Sequence, residues 1–176
     1  MKVASSVAMF WFIGAALLVL GCASSRSEPA PQPSAAPPPL VYSFADLNGK
    51  ELADGAHRGR VTVLLFVTTF DLPSQASARR LEDLYRTHAP RINALAVVVE
   101  APNHADLARS FREVLGLNYP LALASKASLA KHAVFSKIDV VPAWIILDRE
   151  GRPHRSATGV FSVSELNAAV EAAEKR

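Results

Sequence analysis

The sequence predicts a three-layer α/β domain: a central mixed sheet with helices on both faces and extra β-strands on its N-terminal side. Three near-continuous apolar runs, at 61–67, 92–99 and 140–147, read as strands buried on both faces. Segments with helical apolar spacing lie between them, and that alternation implies a sheet with a parallel part. After the last run a turn at 148–151 sends the chain back as a hairpin partner, which adds an antiparallel edge.

Residues 1–21 read as a targeting leader. Lys2 supplies a positive start and 7–20 an apolar stretch rich in Phe, Trp, Ile, Leu and Val. Val19-Leu20-Gly21-Cys22 resembles a bacterial lipobox, which implies cleavage before Cys22 and lipidation of its sulfur. Cys22 is the one cysteine of the chain. An uncleaved membrane anchor is the competing reading, but the run is shorter than the roughly 20 residues a span needs. Ala23 rather than Asp follows, which resembles the outer-membrane sorting pattern of enteric bacteria. The expected location is therefore the cell envelope, on the outer membrane or the periplasmic face of the inner membrane, with acyl chains on Cys22 as the membrane contact. Residues 22–39 form a spacer: six prolines and no bulky apolar side chain cannot bury enough surface to offset ordering entropy.

From Leu40 to the end at Arg176 the composition is that of one globular domain. The chain carries 19 Lys and Arg against 16 Asp and Glu, and loss of Lys2 with the leader lowers the surplus from three to two. That balance is too slight to argue for nucleic acid. Residues 42–52 read as strand, Asn48-Gly49 turn and strand. The central strand at 61–67 runs into a loop, Thr68 to Phe70, where Asp71 and Ser74 can each cap the helix that follows. That helix, 73–88, carries an apolar stripe of Ala76, Leu81, Leu84 and Tyr85, and Pro90 ends it. Asn103 is the expected cap of a helix over Ala105–Leu115, with Leu107, Phe111, Val114 and Leu115 inward and Gly116 as its stop. Residues 119–124 read as a short extended piece, 126–134 as a short helix and 154–160 as the returning strand. Ser162 and Glu165 form a capping box for a last helix at 163–173.

Four features resemble the thioredoxin fold as elaborated in the TlpA-like and AhpC/TSA-like redoxins. They are Phe44-x-Asp46-Leu47-x-Gly49-Lys50, Gly59-x-Val61-x-Val63-Leu64-x-Phe66, Ile138-x-Val140-Val141-Pro142-x-Trp144-Ile145-Ile146-Leu147-Asp148-x-x-Gly151, and the spacing of these blocks with the closing helix. The resemblance covers about 42–173. In those families a Trp-Cys-x-x-Cys motif follows the central strand. Here the same stretch is Phe70-Asp71-Leu72-Pro73-Ser74, so Asp71 stands at the attacking position and Ser74 at the resolving one. A peroxiredoxin alignment of the loop also puts Asp71 at the peroxidatic position. Disulfide exchange needs a thiolate, which neither Asp nor Ser supplies.

The resemblance also implies a cis peptide before Pro142 and a peptide groove between that proline and the loop. The expected partner-binding residues are Thr69, Phe70, Asp71, Leu72, Pro73, Ser74, Val141 and Pro142, with a protein or peptide of the envelope as partner. No catalytic residue is expected. The five histidines, at 57, 88, 104, 132 and 154, are scattered without an i, i+4 pair, so neither a metal nor a cofactor is expected. Three readings stay open: a redox-inactive binding domain, an enzyme using Asp71 in non-thiol chemistry or lending itself to a partner's thiols, and a structural envelope lipoprotein.

Overall fold

A computed structural model describes residues 36–176. The leader at 1–21, Cys22 and the linker as far as residue 35 lie outside the described residues. Seven strands and four helices follow in the order β1 (Ser43–Ala45), β2 (Glu51–Ala53), β3 (Val61–Val67), α1 (Leu72–His88), β4 (Ile92–Val98), α2 (Ala105–Leu115), β5 (Leu121–Leu123), α3 (Lys126–Leu129), β6 (Ala143–Leu147), β7 (Pro153–Thr158) and α4 (Val163–Glu174). The main sheet has the order β5-β4-β3-β6-β7. Strands β3, β4 and β5 run parallel, while β6 and β7 pair antiparallel. β1 and β2 form a separate hairpin with Phe44 opposite Leu52. Its turn is held by Asp46, whose Oδ1 accepts from the N–H groups of Asn48 and Lys50, each at 2.8 Å.

Every residue of β3 and β4 is buried, as expected of strands covered on both sides. Alternate side chains of β3 serve opposite cores. Val63, Leu65 and Val67 pack with Leu81 and Leu84 of α1, Phe111 of α2, and Leu166 and Val170 of α4. Leu64 and Phe66 pack with Phe44 and Leu52 of the hairpin and with Leu129 and Phe135. One face of the sheet is thus roofed by three helices. The other is roofed by α3, a following 3-10 turn and the hairpin. The chain enters this second layer at Leu40, a buried residue whose N–H donates to Gly151 O at 2.8 Å. Nearby, Tyr42 O accepts from Asp54 N–H at 3.0 Å, and the buried Tyr42 hydroxyl lies 2.6 Å from His57 Nδ1.

Several local expectations change. The inward stripe of α1 is rotated: Ser74, Ser77, Ala78, Leu81, Glu82, Leu84 and His88 are buried, while Ala76 and Tyr85 are half-buried. Ser74, Glu82 and His88 find partners, which is what makes their burial tolerable, while the buried Ser77 Oγ has none. Glu82 accepts from Asn118 N at 2.8 Å and Nδ2 at 2.6 Å, and His88 Nε2 lies 2.7 Å from Asn167 Oδ1. Asn103 does not cap α2. Pro102–His104 form a 3-10 turn that runs directly into the helix, so Asn103 is already wound in and His104 holds the N-cap position without a side-chain capping bond. Only Ala108 and Phe111 of α2 are fully buried; Leu107 and Val114 are 54% and 77% exposed. α1 already covers the middle of that sheet face, so α2 reaches only its margin. Gly116 ends α2 in the left-handed conformation, φ 64°.

The helix expected at 126–134 stops at Leu129. The chain turns again at Phe135–Lys137, which seats the Phe135 ring 5.5 Å from Phe44 and 5.3 Å from Phe66. β6 starts at Ala143 rather than 140, because Pro142 has no N–H to give a ladder. The capping box of Ser162 and Glu165 is present.

Candidate functional site

The carboxyl ends of β3 and β4 lie side by side, the place where open α/β sheets bind ligands. From Thr68 the chain leaves the sheet and makes a compact loop into α1. Asp71 is extended (φ −108°, ψ 143°) and its Oδ1 accepts from Ser74 N–H at 2.7 Å, an N-cap. Its Oδ2 accepts from the Thr68 hydroxyl. Ser74 is fully buried, and its Oγ accepts from Thr68 N–H at 3.1 Å. Gln75 Nε2 donates to Thr69 O at 3.3 Å. Burial pushes the Asp71 carboxyl up, but hydrogen bonds from Thr68 and Ser74 outweigh it and hold its pKa below the usual 3.8.

At the end of β4, Glu100 reaches across to this loop. Its side chain is buried, and Oε1 accepts from Thr69 N–H at 2.6 Å and from Thr69 Oγ1 at 2.8 Å. Oε2 lies 2.9 Å from His104 Nδ1. Sequence reasoning missed both residues. A Glu just after an apolar strand looks like a solvated end, yet its i, i+4 spacing to His104 was a readable signal.

The site residues therefore divide. Phe70 and Leu72 stand out into solvent, 78% and 76% exposed, and Pro73 is exposed beside them. Thr69 and Asp71 are half-buried. Ser74 lies beneath the surface as a strut of the loop, so the expectation that it meets a partner directly does not fit its burial. On the neighbouring strand Phe66 pairs with Ala143, and the same register carried on brings Thr68 beside Val141. The Val141–Pro142 peptide is cis, Pro142 is buried, Val141 is half-buried and Val140 is exposed. Pro142 O accepts from Gly159 N–H at 2.8 Å, and Trp144 Nε1 donates to Gly159 O at 2.9 Å, tying this corner to β7.

A cleft of ≈ 370 Å³ opens on the other side of Phe70, between the loop and α2. Phe70, Leu107, Phe111 and Val114 give it apolar walls, with His104 and Gln75 at its edge. Among the described residues no group of three or more His, Cys, Asp or Glu is placed to hold a metal, and no helix is long and apolar enough to cross a membrane.

No protein-family model and no curated protein sequence matches this chain. Solved structures do. A secreted thiol-disulfide isomerase from Corynebacterium glutamicum superposes with a TM-score of 0.70 at 17% identity, over 78% of this chain and 85% of that one. A thioredoxin-family thiol:disulfide interchange protein from Chlorobium tepidum gives 0.68 at 17% identity, over 81% and 99%. A secreted Mycobacterium tuberculosis disulfide oxidoreductase homologous to Escherichia coli DsbE gives 0.63 at 19% identity, over 74% and 95%. At this level of identity the likeness shows the fold: this chain, with its five-stranded mixed sheet and small N-terminal hairpin, has the thioredoxin-like fold.

Proposed function

We propose that the protein is a thioredoxin-fold binding domain of the cell envelope, tethered by lipid on Cys22 and without thiol chemistry of its own. It holds a protein or peptide partner at the surface made by Phe70, Leu72, Pro73 and Val141. The observation that carries this reading is the state of Asp71. It occupies the place that the resemblance gives to the attacking cysteine, and both its oxygens are engaged in shaping the loop. Residues 36–176 contain no cysteine at all, so the domain cannot form a mixed disulfide. An acid–base role for Asp71 finds no proton partner, since the nearest histidine in the loop network, His104, bonds Glu100 instead. What remains exposed is apolar surface beside a proline-defined corner, which suits capture of an extended segment. The leader in the sequence, and the secreted neighbours from Corynebacterium glutamicum and Mycobacterium tuberculosis, support an envelope setting.

Site-specific photocrosslinking in the native envelope tests it. A photoreactive phenylalanine analogue is placed at Leu72 or Val140, with exposed Glu171 on α4 as the control position. One adduct of the same mass from 72 and 140, and none from 171, is the expected result. No adduct from either position, or the same set of adducts from all three, overturns the reading.

A further inference from the structure

The helix expected over 126–134 stops at Leu129, and the chain turns again at Phe135–Lys137 before it enters β6. That short roof leaves the second face of the sheet open over β6 and β7. A cleft of ≈ 710 Å³ lies there, larger than the one beside Phe70. Its floor is Ala143 and Ile145 of β6, with Thr158 and Ser156 opposite them on β7, and Val134 and Ile138 stand at its side. We propose that this cleft binds a small amphiphile, a single alkyl chain carrying a carboxylate, of which a free fatty acid is the simplest form.

Size, lining and charge each narrow the ligand. The volume falls within the roughly 300–1,000 Å³ of small-molecule pockets, and is about five times a cavity that takes up a benzene ring. That is room for one chain of about twelve carbons. The apolar lining is aliphatic. Trp144 contributes backbone, because its ring lies on the other side of the sheet, where Nε1 donates to Gly159 O at 2.9 Å and Phe161 packs edge-on at 6.2 Å. A flat ring system therefore finds no partner to stack on, whereas an alkyl chain needs only apolar contact.

The polar groups of the lining are donors. Lys137 Nζ has three N–H groups and no acceptor, the Ser156 and Thr158 hydroxyls can both donate, and no Asp or Glu lines the cleft among the described residues. Asp139, the one acid between 126 and 142, is held by Lys126 at 3.3 Å. Lys131 and Lys137 are then left as uncompensated positive charge on this segment, and an anionic head complements it. A peptide laid along the edge of β7 suits the place less well. Pro153 has no N–H to give it, and the β6–β7 ladder shifts register between Ile146 and Leu147. This inference does not rest on partner binding at Leu72 and Val140, and its test uses other positions.

The test takes the full chain, purified and held in phosphatidylcholine nanodiscs, with dodecanoate carrying a terminal diazirine as photolabel. Irradiation and peptide mass mapping should give a saturable adduct within 133–145 or 153–158. Excess unlabelled dodecanoate should remove it. Dodecyltrimethylammonium, the same chain with the opposite charge, should not, and discs of phosphatidylglycerol should leave the adduct unchanged. Ser156→Trp, at an exposed position on the floor, should abolish labelling by filling the cleft. Lys137→Glu, also exposed, should raise the half-saturating concentration severalfold, and both variants should keep the far-UV circular dichroism of wild type. An adduct confined to other residues, equal displacement by the cationic amphiphile, or labelling indifferent to either variant overturns the proposal. Loss of the adduct in phosphatidylglycerol discs overturns it in favour of a membrane lipid.

Discussion

Replacing Asp71 by Ala should destabilise the domain by about 2 kcal/mol, and replacing it by Asn should cost about half as much. The figure comes from two bonds. Loss of the N-cap bond to Ser74 N–H costs about 1 kcal/mol, within a usual range of about 0.5–2. The buried Thr68 hydroxyl also loses its charged acceptor, which adds about another 1 kcal/mol net. Asn keeps an oxygen for Ser74 but cannot accept a second bond on its amide nitrogen. Urea unfolding of the purified wild type, Asp71→Ala and Asp71→Asn, followed by far-UV circular dichroism, measures both differences. The pH dependence adds a sign. A carboxylate whose folded pKa is depressed contributes stability in full above its unfolded value, near 3.8. That contribution drains away as pH falls through the lower folded value. The gap between wild type and Asp71→Asn should therefore hold from neutral pH to about 5 and close in the acid range below 3.8. An Ala variant within about 0.5 kcal/mol of wild type, or a gap that persists unchanged in acid, would refute the view of Asp71 as a structural cap.

Two further predictions follow from buried polar groups. Glu100→Ala leaves the Thr69 N–H without its acceptor and should cost about 2–3 kcal/mol. Hydrogen exchange at the Thr69 amide should accelerate with it, and unchanged protection would show that the loop is held by other means. Burial, with the Asp54 charge second and Arg58 opposing, pushes the Tyr42 phenol far above its usual 10, and burial beside Glu82 does the same to Tyr119. Both should stay protonated in the folded chain at pH 11, read by absorbance near 295 nm as phenolate that appears only on unfolding. Since their folded values are raised, the stability they contribute is complete below pH 10 and is lost as pH climbs above it.

The main sheet was legible because its strands announce themselves: 61–67 and 92–98 are apolar but for one polar residue each, Thr62 and Asn93. The loop into α1 was legible because capping is local, so Asp71 and Ser74 stood out by residue type. Their division of labour did not, since which oxygen serves which N–H depends on where Thr68 leaves the sheet. Glu100 is a contact across 31 residues, and apart from its i, i+4 spacing to His104 nothing local distinguishes it from a solvated glutamate. α2 shows the limit most plainly. Its periodicity gives the amphipathic direction within about one residue, but burial depends on how much of the sheet face α1 leaves uncovered. For the same reason the expected stripe of α1 did not include the polar residues on its inner side. Ser77 and Glu82 look like surface choices until Asn118 and the sheet close over them.

The entry of the chain at Leu40 bears on how the domain carries mechanical load. A pull on the polypeptide upstream of residue 36 is received first by the Leu40 bond to Gly151 O and by the Tyr42 bonds to Asp54 and His57. It passes next to a hairpin of two three-residue strands, and only then to the seven-residue strand β3 in the middle of the sheet. The weakest-paired segment is thus placed in series ahead of the strongest. Under tension the hairpin should peel first, lengthening the upstream chain by the 21 residues from Leu40 to Arg60, about 70 Å of extended chain. The sheet that presents the loop from Thr68 to Ser74 is spared until that slack is gone.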